Sequence, residues 1–252
     1  MTNREKIRVL VKSREDIQKL RIRSSNRLKK DKDFKSQDTS KQNLTIATDD
    51  LLMSEVDLCL DFTQNEKKID KLLKGYVEDE PIYQQFLKGV KGCGIQLSAV
   101  LISEIDIHIA TTVSKIWQYA GLNPGMVFGK KIVGDETVVS DTKIRGDKLT
   151  KGYKCPYNQF LKSKLLGVLA DCMIKSNSPY REFYDNYKVR LSNESKWNEE
   201  SKLHISNAAK RYMIKMFLID LYVAWRTIEK LPVRPSYQEE YLNHKHGEVR
   251  DN

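Results

Sequence analysis

Residues 89–105 read GVKGCGIQLSAVLISEI and place three glycines directly before an apolar run: Gly89, Gly92 and Gly94. Glycine inside a helix costs about 1 kcal/mol relative to alanine, whereas a tight left-handed turn favours it. The cluster therefore predicts that one helix ends here and that a second helix opens at Ile95. Helical spacing in the second helix turns one set of apolar side chains towards a core: Leu97, Val100, Leu101 and Ile105.

The apolar residues from Pro81 onwards recur mainly at helical spacing, which predicts a compact, all-α domain. The pattern indicates helices at about 81–90, 94–105, 111–120, 158–175, 179–191 and 202–230. Within the last one, AAKRYMIKMFLIDLYVAW (208–225) is apolar on most of its circumference and is expected to be the central helix. Only residues 121–148 have strand character. There GDET is flanked on each side by two β-branched residues, which predicts a short β-hairpin: Ile132, Val133, Val138 and Val139.

The first 80 residues predict a helical arm rather than a second core. A basic segment has apolar residues at helical spacing, at Ile7, Leu10, Val11, Ile17 and Leu20, before residues 27–43 lose the period and predict a loop. An acidic helix follows, capped by Thr48 or Asp49. Its apolar residues recur at alternating spacings of four and three: Leu52, Val56, Cys59, Leu73 and Val77. Three polar residues, Thr63, Glu66 and Asp70, interrupt this spacing. We expect the two helices to pair as an antiparallel hairpin.

Charge is arranged in blocks along the 252 residues. The net charge is +8 over residues 1–45, −6 over 46–85 and +8 over 86–252, which gives +10 for the chain. The sequence pI is 9.2. A surplus of this kind favours a polyanionic partner, most often nucleic acid.

The composition also excludes several classes of protein. No apolar run reaches the ~18 residues that a membrane helix needs, and MTNREKIRVL carries charges where a signal peptide is apolar. These features predict a cytoplasmic protein with no membrane partner. The four cysteines form no C-x-x-C pair, so we expect reduced thiols, no disulfide framework and no metal site: Cys59, Cys93, Cys155 and Cys172.

The glycine corner and a basic loop carry the first candidate nucleic-acid contacts. Residues 87–95 fit the helix-hairpin-helix pattern, in which glycines allow close approach to a nucleic-acid backbone and helix N–H groups point at a phosphate. The loop contributes cations that can follow a phosphate backbone. The candidate contacts are Lys88, Lys91, Gly92, Gly94, Lys130, Lys131 and Lys151. The alternative is that the glycines only form a tight corner and that the loop is simply solvated.

Four motifs in order support a family resemblance: VKGCGIQLSAVLISEI, WQYAGLNPG, YNQFLKSKLLGVLADCMIKSNSPYREFYDNYK and AAKRYMIKMFLIDLYVAWRTIEKLPVR. Over residues 85–235 the chain resembles the carboxy-terminal half of the DEDD-type insertion-sequence transposases that are related to the Piv DNA invertase. The preceding helical arm is similar to the coiled coil of that family. Four ordered motifs are much more specific than any one of them.

The resemblance implies a recombinase that works as a dimer or tetramer on double-stranded DNA with a structured guide RNA. In complete members, an RNase H-like half with four acidic residues holds Mg²⁺, and the carboxy-terminal domain supplies a serine nucleophile. We expect this chain to lack the RNase H-like half, and therefore Mg²⁺ as well. The family serine precedes a motif that is matched here by Asn158, Leu161 and Lys162, so the candidate nucleophile is Cys155, with Thr150 as the alternative. Lys162 takes the place of a basic residue that holds phosphate.

These observations predict a helical arm at 1–80 that forms a homo-oligomer, a helix-hairpin-helix transposase domain at 81–235 and a tail at 236–252. The predicted function is that of a DNA-binding transposase or site-specific recombinase component. The alternative is a catalytically inactive DNA- or RNA-binding regulator that keeps the fold. A helical protein with no nucleic-acid partner is the third interpretation.

Overall fold

The computed structural model describes residues 1–28, 50–194 and 201–235. The chain divides into two compact units, Met1–Glu80 and a second that begins at Pro81. The described residues are mainly helical and include one two-stranded antiparallel sheet, which confirms the predicted fold class. None of the helices in these ranges is long and apolar enough to cross a membrane. The predicted tail at 236–252 lies outside the described residues.

The first unit is a pair of long helices, α1 (Asn3–Leu28) and α2 (Asp50–Glu78). The two pack against each other within one chain, and the seam buries residues in a four-three rhythm on both: Ile7, Val11 and Leu28 on α1, and Val56, Cys59, Leu73 and Val77 on α2. The helical spacing predicted for this segment is present in α1, although the side chain of Leu20 is 43% exposed and lies off the seam. The buried positions in that part of α1 belong to Ser24 and Ser25. The predicted caps Thr48 and Asp49, the side chain of Leu52 and most of the predicted loop lie outside the described residues.

Polar residues in the seam pair across it. Arg14 Nε lies 2.6 Å from Asp70 Oδ1, and Arg21 Nε lies 2.9 Å from Glu66 Oε1. Arg27 pairs with Glu55 further along α1. As the α1 partner moves forward in sequence, the α2 partner moves backward, which defines an antiparallel register. Two of the three polar interruptions of the α2 rhythm, Glu66 and Asp70, are therefore ion-pair partners of arginines on α1, whereas the hydroxyl of Thr63 donates to the carbonyl of Cys59 on its own helix.

The second unit begins with short helices around the glycine corner. The predicted helix at 81–90 is α3 (Pro81–Gln85) followed by a 3₁₀ turn at Leu87–Gly89, and the next two helices are α4 (Ile95–Glu104) and α5 (Val113–Tyr119). The remaining helices are α6 (Gln159–Lys164), α7 (Ala170–Lys175), α8 (Arg181–Asn193) and α9 (Lys202–Ile228). A π-helical turn at Leu165–Leu169 joins α6 to α7, so the helix predicted at 158–175 is one helix with a π-turn in the middle.

Helix α9 is the central helix of this unit. Met213, Phe217, Leu218, Leu221 and Tyr222 on α9 are at most 1% exposed, and α9 packs against α3, α5, α7 and α8. Near its end the buried Arg226 donates hydrogen bonds from Nη1 to the carbonyls of Ile107 (2.9 Å) and Ala110 (3.0 Å). The guanidinium thus satisfies buried carbonyl groups between α4 and α5 that would otherwise be unpaired.

The sheet is a β-ribbon formed by β1 (Met126–Val133) and β2 (Glu136–Arg145). Strand pairing runs from Met126 opposite Arg145 to Val133 opposite Glu136, with an irregularity between Phe128 and Lys130. Gly134 has a φ of +61° at the first position of the two-residue turn, as a type II′ hairpin requires. The ribbon is longer than the predicted short hairpin, because the pairing continues beyond Val139 to Lys143, Ile144 and Arg145, which lie opposite Phe128, Val127 and Met126.

Candidate functional site

The glycine corner packs on another helix of the same unit. Gly92 has a φ of +90°, and a Cβ there would lie 2.8 Å from the carbonyl carbon of Cys172 and from the amide nitrogen of Met173. The missing side chain therefore makes room for the backbone of α7. The close approach that requires a glycine at position 92 is thus made within the chain itself, whereas contact of Gly92 with nucleic acid stays a prediction.

The outer side of the corner is open. Gly94 is the N-cap of α4 with φ −75° and ψ 178°, and a Cβ there would meet nothing within 4 Å. Neither the backbone conformation nor the packing therefore requires a glycine at this position. Lys91 and Gly94 are exposed next to the first N–H groups of α4, which have no intrahelical partner by the geometry of a helix. Lys88 is also exposed, and its Nζ lies 3.5 Å from Oε1 of Gln84.

The β-ribbon and the segment after it carry a set of exposed cations: Lys130, Lys131, Lys143, Lys148, Lys151 and Lys154. Among the described residues none of these six forms an ion pair with a carboxylate. Lys131 lies over the ring of Tyr153 at 5.0 Å, and Lys143 lies over the ring of Phe128 at 5.5 Å. These contacts orient the stems of two lysines and leave the ammonium charges unneutralised.

The segment that carries the candidate nucleophiles is fastened to the ribbon. The amide of Lys154 donates to the carbonyl of Lys130 (2.7 Å), and the ring of Tyr153 covers Gly129, where a Cβ would lie 2.4 Å from a ring carbon. Hydrogen bonds with Thr142 and Ser140 are the main causes that lower the pKa of the Tyr153 hydroxyl. The absence of a side chain at Gly129 thus lets the segment lie directly on β1.

Cys155 is half-buried, and its Sγ donates a hydrogen bond to the carbonyl of Tyr157 at 3.2 Å. This hydrogen bond turns the sulfur towards the backbone of its own chain. The alternative candidate, Thr150, is half-buried, and its carbonyl accepts from the amide of Tyr153 (3.1 Å). No group of three or more His, Cys, Asp or Glu side chains in the described residues is arranged to hold a metal ion.

The family-like motif at Asn158 has a structural role in the corner between α5 and α6. Asn158 caps α6 by accepting from the amide of Leu161 (3.0 Å), and its Nδ2 donates to Glu104 (2.5 Å) and to the hydroxyl of Tyr119 (2.9 Å). Lys162 is half-buried, donates to the carbonyl of Asp147 (2.6 Å) and lies over the Tyr157 ring at 4.2 Å. One of the three donors of the Lys162 ammonium is therefore used inside the protein.

A cleft of about 520 Å³ lies beside Asp147 in the second unit. Four elements contribute to it: the turn after α5, the end of β2, α8 and α9. Its polar lining includes Arg145, Asp147, His204, Arg211 and Lys215, and its apolar and aromatic lining includes Leu122, Pro124, Ala208, Tyr187 and Tyr212. The volume is in the usual range for small-ligand pockets.

Cations outnumber carboxylates around this cleft. Arg145 forms a bidentate pair with the buried carboxylate of Asp147, with donor–acceptor distances of 2.9 and 3.0 Å. In the described part of the chain, Arg211 and Lys215 have no carboxylate within 4.0 Å. Burial lowers the pKa of Lys215, the neighbouring Arg211 lowers it further, and Asp147 opposes both effects. Burial likewise lowers the pKa of Lys162, which Asp147 raises and Arg211 lowers.

Sequence reasoning did not find this cleft. Four of its residues, Ala208, Arg211, Tyr212 and Lys215, lie in the segment at 208–225 that is predicted only as the central helix. One signal was visible in the sequence: His204, Ala208, Arg211 and Lys215 follow one another at spacings of four, three and four. That spacing places them on one face of a helix, and two like charges four residues apart destabilise a helix unless something compensates.

The comparisons with known proteins leave the family of the chain unassigned. No family model matches the sequence, and no curated protein is significantly similar to it. The geometry of the corner, the ribbon and the cleft is therefore the basis for the functional argument.

Proposed function

We propose that the chain binds the phosphate backbone of double-stranded DNA as the carboxy-terminal part of a DEDD-type transposase related to the Piv invertase, and that it acts in the cytoplasm. The ordered motifs over residues 85–235 support the family assignment. The charge arrangement of the second unit supports the partner.

One contrast between the two units carries the proposal: exposed lysines of the arm such as Lys67 and Lys68 lie in the segment of net charge −6, whereas those of the ribbon lie in the segment of net charge +8. In the arm, Arg14, Arg21 and Arg27 each pair with a carboxylate on the facing helix. On the ribbon and the following segment, residues 130–154, the exposed lysines pair with no carboxylate among the described residues. Cations that a fold leaves exposed and unneutralised on one element are available to phosphates, whose neutralisation releases counterions from nucleic acid.

A salt titration tests this proposal directly. The affinity of the full chain for a fluorescently labelled DNA duplex is measured between roughly 50 and 200 mM salt. We expect the variant Lys130→Gln/Lys131→Gln to bind more weakly and to reduce the slope of log affinity against log salt by about 0.9 for each lost phosphate contact. The matched control is Lys67→Gln/Lys68→Gln, which removes the same charge from exposed positions on α2.

Equal slopes for the wild type and the ribbon variant would overturn the proposed interface. If the control lost as much affinity as the ribbon variant, net charge rather than the ribbon would explain binding. Wild-type protein that binds neither duplex DNA nor structured RNA at low salt would overturn nucleic-acid binding altogether.

The finer parts of the proposal follow from the family. A structured guide RNA would be bound along with DNA, the helical arm would join copies of the chain, and Mg²⁺ would be held by an RNase H-like half outside these residues. The arm offers exposed apolar side chains for such an assembly, including Val9, Leu58 and Leu72. In the transposase, Cys155 or Thr150 would take the place of the nucleophile.

A second candidate is a regulator that binds DNA or RNA without catalysis. The hydrogen bond from Cys155 Sγ to the carbonyl of Tyr157 favours it, because the bond engages the sulfur within its own chain. The two candidates differ in a covalent product: the transposase requires a protein–DNA adduct that Cys155→Ala or Thr150→Ala abolishes when the metal-binding half is supplied. The regulator forms no adduct and binds DNA equally well after these substitutions.

A further inference from the structure

The cleft beside Asp147 carries more positive charge than the fold itself needs. Four cations interact electrostatically with Asp147 or with one another: Arg145, Lys162, Arg211 and Lys215. Asp147 is the carboxylate that faces them. His204 also lines the cleft. A partly buried group of cations with a single buried carboxylate is destabilising unless something negative compensates for it.

The spacing of the cations on α9 argues against an accidental surplus. Arg211 and Lys215 stand four residues apart, so their side chains extend from the same helix face towards the same space. Lys210, the neighbour of Arg211, is instead paired with Asp171 across to α7. Lys210 is therefore neutralised by a carboxylate. Arg211 and Lys215 line the cleft, and neither has a carboxylate partner among the described residues.

Arg145 is held in place to face the same cleft. Its Nε and one Nη bond Asp147 in a planar, bidentate arrangement, which leaves three of its five N–H donors for other acceptors. Asp147 is in turn fixed through its carbonyl by Lys162. A guanidinium that is fixed by a carboxylate on one edge is preorganised to bind an anionic oxygen on the other.

The remaining lining is flat and apolar. Tyr187 and Tyr212 stack with ring centroids 4.3 Å apart and an interplanar angle of 15°, and both line the cleft together with Leu122 and Pro124. Each tyrosine covers one face of the other, and Arg190 lies over the Tyr187 ring at 4.6 Å, so a flat ligand ring packs on the uncovered parts of these side chains and on Pro124 with exclusion of water.

We propose that this cleft binds a single nucleotide, in which a sugar links a phosphate monoester to a flat heterocyclic ring, with the phosphate on Arg145, Arg211 and Lys215 and the ring against Tyr187 and Tyr212. The nucleotide is either free in solution or the 5′-phosphorylated end of a nucleic-acid strand, which present the same chemistry. A pocket of this volume takes one nucleotide rather than a length of duplex. The proposal does not depend on the transposase assignment.

The first experiment measures binding by isothermal titration calorimetry with adenosine monophosphate, ribose 5-phosphate, inorganic phosphate and adenosine. We expect the nucleotide to bind most tightly, since it alone fills both parts of the cleft. The variant Arg211→Gln should weaken nucleotide binding by about 10- to 100-fold, as expected for the loss of a charge-assisted hydrogen bond. Tyr212→Leu should weaken the nucleotide and leave the affinity for inorganic phosphate unchanged. The matched control is Lys175→Gln, the same charge change at an exposed position on α7.

Two further readouts separate a ligand site from a structural cluster. Arg211→Gln should leave the melting temperature of the ligand-free protein unchanged or raise it, because Arg211 repels Lys162 and Lys215. A structural arginine would lower the melting temperature when replaced. Because a bound anion raises the lowered pKa of Lys215, nucleotide binding at alkaline pH should take up protons, which appears as a dependence of the measured heat on the buffer.

The two sources of the nucleotide are separated by oligonucleotides that differ only at the end. Preference for a 5′-phosphorylated strand over the same strand with a 5′-hydroxyl, lost in Arg211→Gln, identifies the strand end. Tighter binding of the free mononucleotide than of either strand identifies the small molecule. Equal affinity for adenosine monophosphate, ribose 5-phosphate and inorganic phosphate would overturn the ring-binding part. Failure of all phosphorylated probes to bind, or binding that Arg211→Gln leaves unaltered, would overturn the site.

Discussion

Replacement of Gly92 by alanine should destabilise the second unit strongly, while the same replacement at Gly94 should not. A Cβ at position 92 would lie 2.8 to 2.9 Å from three backbone atoms of α7, and the φ of +90° is unfavourable for any residue with a side chain. The conformational strain costs about 1–2 kcal/mol and the steric overlap about 1–3 kcal/mol, so the expected loss is about 2–5 kcal/mol. At position 94 the added methyl group meets nothing, and the φ of −75° suits alanine, so we expect a loss below about 1 kcal/mol.

The assay is urea unfolding followed by tryptophan fluorescence. All three tryptophans of the chain follow Pro81, so the signal reports on the second unit and not on the arm. The midpoint for Gly92→Ala should be clearly lower than the wild-type midpoint, whereas the midpoint for Gly94→Ala should be nearly unchanged. Equal midpoints for the two variants would refute the packing argument, because they differ mainly in what the new methyl group contacts.

The same pair of variants bears on DNA binding. A defect in Gly92→Ala alone reports a damaged corner and says nothing about phosphate contacts. A defect in the stably folded Gly94→Ala supports a close approach of the DNA backbone to the start of α4, since nothing within the chain requires a glycine there.

Two other predictions concern the arm and the buried thiol. Arg21→Met should lower the stability of the arm by about 1–3 kcal/mol, because it leaves the buried carboxylate of Glu66 without its partner. The double variant Arg21→Met/Glu66→Leu should recover most of the loss, as judged by hydrogen exchange over residues 1–28 and 50–80, and no recovery would contradict the pairing. Burial raises the pKa of Cys93 to about 11, so roughly one thousandth of this thiol should be ionised in the native protein at pH 8. An alkylating reagent should therefore modify Cys93 far more slowly than the half-buried Cys155. Because the pKa of Cys93 is higher in the folded state than in the unfolded state, the neutral thiol stabilises the fold below pH 9, and this contribution is lost as pH rises from about 9 to about 11. The variant Cys93→Ala should therefore lose less stability over this pH range than the wild type. An identical pH dependence of stability in the two proteins would contradict this prediction.

Local pattern was sufficient for most of the helices. The helix predicted at 202–230 is α9, and the one predicted at 179–191 is α8, because apolar periodicity survives in any helix that packs one face on a core. Apolar spacing alone did not define the seam of the arm, because Leu20 lies off it and paired charges complete the seam in that part of α1. Arg14 and Arg21 hold these positions, and a count of apolar residues cannot detect them.

The sites were less predictable because they are assembled from distant segments. The cleft brings together residues after α5, at the end of β2, on α8 and on α9, and no local spacing reveals that Arg145 and Arg211 meet. The role of Gly92 was equally hidden. The turn itself was evident from three clustered glycines, but only tertiary structure shows that α7 occupies the space beside the second one.

The π-turn at Leu165–Leu169 has a consequence for how the second unit tolerates change in length. A π-helical turn contains one residue more than the α-helical turn it replaces. The residues after it are therefore rotated by about 100° around the helix axis, while the helix itself stays continuous. Upstream of it, α6 faces Asp147 through Lys162, and downstream α7 presents its backbone to Gly92. Removal of the exposed Gly167 would restore a regular helix and rotate either α6 away from Asp147 or α7 away from Gly92. The extra residue therefore sets the angle between the two packing faces of this helix.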